Sequence, residues 1–368
     1  MEKCPRHPGF GSRQATADQE RRLGAVLNSG ASRRDFLRSL ASVGAGAVFP
    51  ASGLLAQTAT PAGRARPGRI DVHHHMRPPE YMRQRGDQGA NRAWTPDRSI
   101  EQMDKYGIST AILSISTPGV WFGDAQQARS LARICNEYGA QTVRDYPGRF
   151  GLFAILPLPD PDGCLREIEY AFDTLKADGA GLLTSYLDKW LGDPLFTPAF
   201  AELNRRKAVT FVHVTTPNCC QNLFPGHTGF RAEVDYDTTR TVESLLMNGT
   251  LAKFPDIRFI FVHSGGTLPV MAGRINDRIP RDRRDLAPLG VLGEIKKFYY
   301  EVAHGTYAMP LAALTKLVPM SQILFGTDYP AEPVETTTVP LAEFGFSARD
   351  LQAIDRGNAE RLFPRLKS

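Results

Sequence analysis

Disulfide frameworks, nucleotide fingerprints and a strongly charged body are all missing from this chain of 368 residues. The five cysteines, Cys4, Cys135, Cys164, Cys219 and Cys220, match no zinc-ligand spacing. Cys219 and Cys220 are adjacent, and Cys135 and Cys164 fall in expected helices, so free thiols are predicted. No Gly-x-Gly-x-x-Gly follows the first apolar strand and there is no P-loop, which removes support for nucleotide binding. Beyond the N-terminal region no apolar run is long enough to span a bilayer. The formal net charge is +5. Its source is the front of the chain, where eleven basic residues between Lys3 and Arg69 face four acids, Glu2, Asp18, Glu20 and Asp35. The remainder is close to neutral and lacks the basic face that nucleic acid requires.

What is present begins with that basic front. Ser32-Arg33-Arg34-Asp35-Phe36-Leu37-Arg38 precedes an uncharged, Ala/Gly/Val/Leu-rich stretch from Ser39 to Leu55 and then small residues around Ala56–Ala62. A basic segment, a modest apolar core and small residues make an export signal rather than an anchor. The twin arginine followed by Asp-Phe-Leu resembles a twin-arginine translocation (Tat) signal, read by the Tat export machinery. Residues 1–67 are therefore expected to be a leader, and 68–368 a periplasmic catalytic domain with no membrane anchor after signal removal. The alternative is a disordered basic tail on a cytoplasmic protein.

From Gly68 onward short apolar runs alternate with segments of helical period. Strands are expected at 69–75, 110–116, 150–156, 179–186, 209–214, 257–264, 298–303 and 323–328. Helices are expected at 99–106, 125–146, 164–176, 197–206, 239–253, 268–277, 290–297, 310–317 and 348–362. Eight apolar strands alternating with helices describe an α/β fold, a (β/α)8 TIM barrel, with a doubly wound open sheet as the competitor. Two long loops, 77–98 and 215–237, follow strands one and five. At the C-terminal face of a barrel such loops wall the substrate pocket.

The metal-capable residues fall on that same face. Strand one ends in His73-His74-His75, and alternation sends His73 and His75 one way and His74 the other. His74 should then tolerate replacement, while Asp71 shares the parity of His73 and His75 and is a candidate to orient a ligand. His213 and His263 end strands five and six, Asp328 ends strand eight, and His304 closely follows strand seven. Among the histidines after the leader, His227 alone lies in mid-loop.

The ordered set Asp71-x-His73-x-His75, His213, His263-Ser264-Gly265-Gly266, Gly326-Thr327-Asp328-Tyr329-Pro330 and Gly357-Asn358-Ala359-Glu360-Arg361-Leu362-Phe363 resembles the amidohydrolase superfamily. More narrowly it resembles the amidohydrolase-related branch containing aminocarboxymuconate-semialdehyde decarboxylase. Thr216-Pro217-Asn218-Cys219-Cys220-Gln221-Asn222 and Leu182-Leu183-Thr184-Ser185-Tyr186 are most similar to 6-methylsalicylate decarboxylase-like proteins. The resemblance implies that His73, His75, His213 and Asp328 hold one divalent metal ion, Zn²⁺ or Mn²⁺, with His263 as acid/base or electrostatic partner. Strand four has no lysine to carry a bridging carboxylate, so one metal is expected rather than two. Three imidazoles and a carboxylate leave a position open for substrate oxygen or water.

The implied chemistry is non-oxidative decarboxylation of a salicylate-like or related unsaturated carboxylic acid. Asp328 is the favoured acid, with His263 tuning it. Arg77 is a candidate for the substrate carboxylate and Glu301 for a ring hydroxyl, while Trp94 and Trp121 are expected to pack, with aromatic pocket walls as the alternative. Metal-assisted hydrolysis of a lactone or amide is the alternative reaction, and an exported metal-binding protein without catalysis is a third. By analogy with the family, a homodimer is implied.

Overall fold

The computed structural model describes residues 68–86, 94–221, 223, 232–279, 283 and 285–367. The expected leader, Cys4 and His227 lie outside the described residues. Eight parallel strands run in sequence order around one sheet: β1 (Arg69–His75), β2 (Ile108–Ser114), β3 (Phe150–Ile155), β4 (Gly179–Leu183), β5 (Val209–His213), β6 (Arg258–Phe261), β7 (Tyr299–Glu301) and β8 (Ile323–Leu324). The ring closes where Val72 N donates to Phe325 O at 3.0 Å, Asp328 N to His73 O at 2.8 Å and His75 N to Tyr329 O at 2.7 Å. The expected (β/α)8 barrel is present.

Apolar side chains fill its interior. Ile70, Val72, Ile112, Phe153, Val209, Phe211, Ile260, Val262 and Leu324 form one buried cluster, with the Phe153 and Phe211 rings stacked at 5.1 Å. At about 25 cal/mol per Å² such burial is the main stabilising term, and the layered side chains make a packed core rather than a pore. Ala359, Leu362, Phe363 and Leu366 join this cluster. The closing segment is tied to the start of β1, since Arg69 Nε meets Asp355 at 2.9 Å and Arg356 donates to Gly68 O at 2.9 Å. The opposite, C-terminal end is left for function.

Several elements differ from expectation for local reasons. The first expected helix starts earlier, at Pro96, because Thr95 is its cap, its Oγ1 accepting Arg98 N at 3.2 Å ahead of Pro96 at the first position;. The helix expected at 239–253 is instead Ala232–Met247, broken at the left-handed Gly249 and followed by Thr250–Lys253. Its early start shortens the loop after β5. Within the loop after β1 lies a short helix, Pro79–Gln84, that buries Tyr81. β4 gives way to a hairpin pairing Ser185–Tyr186 with Lys189–Trp190. Glu335–Glu343 is helical although it carries three threonines and Pro340, poor helix formers that hid it from the sequence pattern;. The closing helix spans 348–362 as expected but carries a π-helical turn, Ala353–Gly357, between Ala348–Gln352 and Asn358–Leu362. No helix among the described residues is long and apolar enough to cross a membrane.

Candidate metal centre and active site

The site starts from a β-bulge. Along β1, Asp71 pairs with Ala111, His74 with Leu113 and His75 with Ser114. Two residues, Val72 and His73, therefore face the single residue Ile112, and the alternation slips by one. The consequence corrects the expected parity of Asp71. His73 and His75 point into the barrel, whereas Asp71 and His74 share the outer face.

On that outer face every polar atom is engaged. Asp71 Oδ2 accepts His74 Nδ1 at 3.0 Å and Thr327 Oγ1 at 2.6 Å, and Oδ1 accepts the amides of His73 at 3.0 Å and Thr327 at 3.1 Å. His74 Nε2 lies 3.0 Å from Ser99 Oγ, which leaves the hydroxyl as its donor;. Asp71 thus holds His74 and the turn that carries Asp328. His74 faces away from the converging imidazoles, as expected, but is buried in this network, so its replacement is expected to cost stability.

Inside the barrel three imidazoles converge. His73 Nε2 is 3.0 Å from His75 Nε2, which is 3.1 Å from His213 Nε2. Asp328 Oδ1 lies 3.2 Å from His73 Nε2 and 2.9 Å from His75 Nε2. Each ring is held by its other nitrogen: His73 Nδ1 to Glu301 Oε1, His75 Nδ1 to Ser114 Oγ and His213 Nδ1 to Val214 O, all at 2.9 Å. With these Nδ1–H groups donating outward, the three Nε2 lone pairs face one point. Asp328 Oδ1 is buried there with no hydrogen-bond partner among the described residues. Facing lone pairs beside an orphaned carboxylate oxygen are costly without a cation, so this donor set fits a divalent metal ion.

Glu301 is the support that makes the arrangement possible. Its Oε1 accepts His73 Nδ1 and, at 2.7 Å, the His263 amide; its Oε2 accepts the Ala303 amide at 2.7 Å. The structure therefore places Glu301 behind His73, fully buried, and not against the cavity where a ring hydroxyl would reach it. Gly326 leaves room for this carboxylate, since a Cβ there would collide with Glu301 Oε2 and His73 Cβ.

His263, His304 and Asp328 form a second group. His304 Nε2 is 2.8 Å from Asp328 Oδ2, and His263 Nε2 is 3.7 Å from the same oxygen. His263 Nε2 is itself without a hydrogen-bond partner among the described residues, and His263 Nδ1 is 3.6 Å from Asp235 Oδ1. His263, His304 and Asp328 all take left-handed backbone conformations, with φ of 57°, 53° and 59°. For non-glycine residues this costs on the order of 1 kcal/mol or more each, and such strain clusters where function fixes a side chain. It also explains why regular β6 and β8 stop short, at Phe261 and Leu324, so that His263 and Asp328 lie on turns beyond the ladders.

The charges reinforce one another. Burial opposes charge on His73, but Asp328 and Glu301 on their own outweigh it and push its pKa up to about 10, so a metal ion taking the Nε2 lone pair would displace a proton;. Burial likewise opposes ionisation of Asp328, yet the nearby His73 and His263 rings and the hydrogen bond from His304 hold it well below the ordinary carboxylate value. Burial and the neighbouring His75 and His73 keep His213 well below the usual imidazole value.

A cavity of about 410 Å³ opens above this group. His75, His213, His263, His304 and Asp328 form its floor, and Arg77, Tyr81, Arg85, Thr117, Thr216 and Asp235 its sides. Arg77 stands where the sequence placed it. Arg85, Asp235 and the role of His304 escaped the sequence reading, because they follow no motif and meet the site only through loop geometry. Trp94 is buried and packs edge-on to Tyr138 at 6.2 Å, while Trp121 lines a smaller cavity of about 140 Å³ with Asp188, Asn218 and Gln221. The described cysteines are free thiols, as expected.

Comparison with known proteins places these features in context. An amidohydrolase family model matches residues 70–365. Decarboxylase macB of Penicillium terrestre is 34% identical over 323 residues, covering 81% of this chain and 96% of the relative. The 6-methylsalicylic acid decarboxylase of Penicillium expansum is 34% identical over 316 residues, covering 81% and 97%. Among solved structures, a dihydroxybenzoic acid decarboxylase from Polaromonas sp. JS666, with bound manganese and the inhibitor 2-nitroresorcinol, is 25% identical with a TM-score of 0.74, covering 82% of this chain and 98% of that one.

Proposed function

The chain belongs to the amidohydrolase family, and from that premise we propose that it is a metal-dependent, non-oxidative decarboxylase of a salicylate-like aromatic acid. The observation that carries this reading is the convergence of His73, His75, His213 and Asp328 on one point beneath a cavity whose floor also bears His263 and His304. A bound Mn²⁺ or Zn²⁺ would draw electron density from a carboxylate oxygen and an adjacent phenolic oxygen of the substrate. Manganese is the favoured ion, because the Polaromonas relative binds it.

The protein's own groups do the rest. Arg77 pairs with the substrate carboxylate and, with the buried floor, holds the carboxyl-bearing ring carbon over Asp328. Asp328 Oδ2, whose carboxyl is held too acidic to keep a proton of its own, relays to that carbon a proton taken from His304, 2.8 Å away, beside His263;. The ring then recovers its aromaticity as the carbon–carboxyl bond breaks, its electron pair returns to the ring, and CO₂ leaves. His263 and His304 resupply the proton through Asp328. Residues 1–67 serve as a twin-arginine leader that delivers the domain to the periplasm, and the working form is a homodimer.

The test is to assay metal-loaded protein against a panel of hydroxybenzoates and lactones in deuterated, ¹⁸O-labelled water. CO₂ release with deuterium on the ring is expected. Label from ¹⁸O in a product acid, without CO₂, would replace this reading with hydrolysis.

A further inference from the structure

The chemistry above uses neither cysteine of the turn after β5, yet the two are placed to react with each other. Asn218–Cys220 form one 3-10 turn, and the two sulfur atoms lie 3.2 Å apart. Cys219 is exposed and Cys220 partly so, whereas Cys135 and Cys164 are buried, and burial pushes their thiols up. We propose that Cys219 and Cys220 are a dithiol modification site that closes to a vicinal disulfide by exchange with a small-molecule disulfide and reopens with thiol reductants.

The exchange balances within these groups. The Cys219 thiolate attacks one sulfur of the small disulfide, forming a mixed disulfide and releasing the first small thiolate. Cys220, passing its proton to the released small thiolate, then attacks Cys219 Sγ and releases the second. The protein loses two hydrogens and two electrons, and one small disulfide becomes two thiols. Cys219 attacks first because it is the exposed sulfur. Cys220 is held as a thiol, pushed up to about 12 by its hydrogen bond to Cys219.

Adjacent Cα atoms are only about 3.8 Å apart, below the roughly 4.4–6.8 Å span of ordinary disulfides. The closed bond is therefore strained and readily reduced, as a reversible modification needs. Its place gives it a consequence. The Cys219 amide donates to Asp188 Oδ1 at 3.0 Å; Asp188, Asn218 and Gln221 line the smaller cavity, and Thr216 lines both cavities. Closing the ring twists the Cys219–Cys220 peptide and pulls on that wall. This last step rests on the decarboxylase reading; the modification itself does not.

Trypsin supplies a direct test, because the peptide from Ala208 to Arg231 holds both cysteines and no other. The native full chain is incubated with glutathione disulfide, alkylated and digested. The expected peptide is lighter by two hydrogens and unalkylated, and dithiothreitol restores alkylation. C219S and C220S are expected to stop at a glutathione adduct on the remaining sulfur. A native peptide that stays alkylated while the denatured chain oxidises, or that accumulates the same adduct as the single variants, overturns the proposal. If the ring forms, the substrate KM should shift reversibly in the native chain and not in C219S. An unchanged KM removes the effect on the cavity wall.

Discussion

One strand separates two buried polar clusters built from nearly the same residue types. Outside β1 stand Asp71, His74, Ser99 and Thr327; inside stand His73, His75, His213 and Asp328. The outer cluster gives every buried donor an acceptor. The inner one aims three imidazole lone pairs and an orphaned carboxylate oxygen at a single point. Composition does not distinguish structure from chemistry here, and satisfaction does: a completed network stabilises the fold, and an incomplete one holds a place for a ligand.

The largest effect that tests this contrast comes from the inner cluster. Loss of a group that orients a ligand typically costs ~10- to 100-fold, so loss of a ligand must cost more. His213→Ala is expected to lower metal-dependent decarboxylation at least about a thousandfold, about 4 kcal/mol in barrier, with stoichiometric metal lost by elemental analysis. Retained metal and activity would break the assignment of the inner cluster.

The outer cluster should answer in stability instead. His74→Ala removes the donor to Asp71 and leaves a small cavity, so a destabilisation of about 3 kcal/mol is expected, read by denaturant unfolding. Metal content per folded molecule should hold. Equal metal loss in His74→Ala and His75→Ala would show that the bulge is misplaced and that the two faces are exchanged.

Glu301 bridges the comparison, since it lies behind the inner cluster but is itself fully satisfied. Glu301→Gln keeps the shape and removes the charge that holds His73. A ~10- to 100-fold weaker metal affinity is expected, measured by chelator competition, with little change in KM once metal is saturating. A selective rise in KM would return Glu301 to the substrate-binding role first expected of it.

The barrel and the metal-capable strand ends were legible in the sequence because both rest on local pattern. Apolar runs of strand length alternate with helical periods, and His73, His75, His213, His263 and Asp328 each fall at or just past such a run. The bulge was not legible, since a one-residue slip leaves no mark in composition and appears only when β1 is paired with β2;. Strict alternation therefore put Asp71 on the wrong face and hid the network that buries His74. Glu301 was found but misassigned, because its depth behind His73 depends on Gly326, in another strand's turn. His304 was seen near the site without a task, because its contact to Asp328 crosses between two turns with left-handed residues that no period encodes.

The smallest effects offer the sharpest version of the contrast, because two serines do the same local job on opposite faces. Ser114 Oγ donates to the His74 carbonyl at 3.4 Å and so accepts from His75 Nδ1 at 2.9 Å, inside the barrel. Ser99 Oγ donates to His74 Nε2 outside it. Removing either hydroxyl deletes one hydrogen bond to a buried imidazole, worth about 1 kcal/mol. The readouts should nevertheless differ. In Ser114→Ala, His75 loses the acceptor that fixes its ring, and metal affinity is expected to fall by about tenfold, the low end for an orienting group. In Ser99→Ala, His74 Nε2 is left unsatisfied away from the metal, so the ~1 kcal/mol is expected in unfolding and chelator competition should match the parent. If both variants lose only stability, the inner imidazoles are no more poised for a ligand than the outer one. If both lose metal, the two faces are mechanically one site and the bulge does not insulate them.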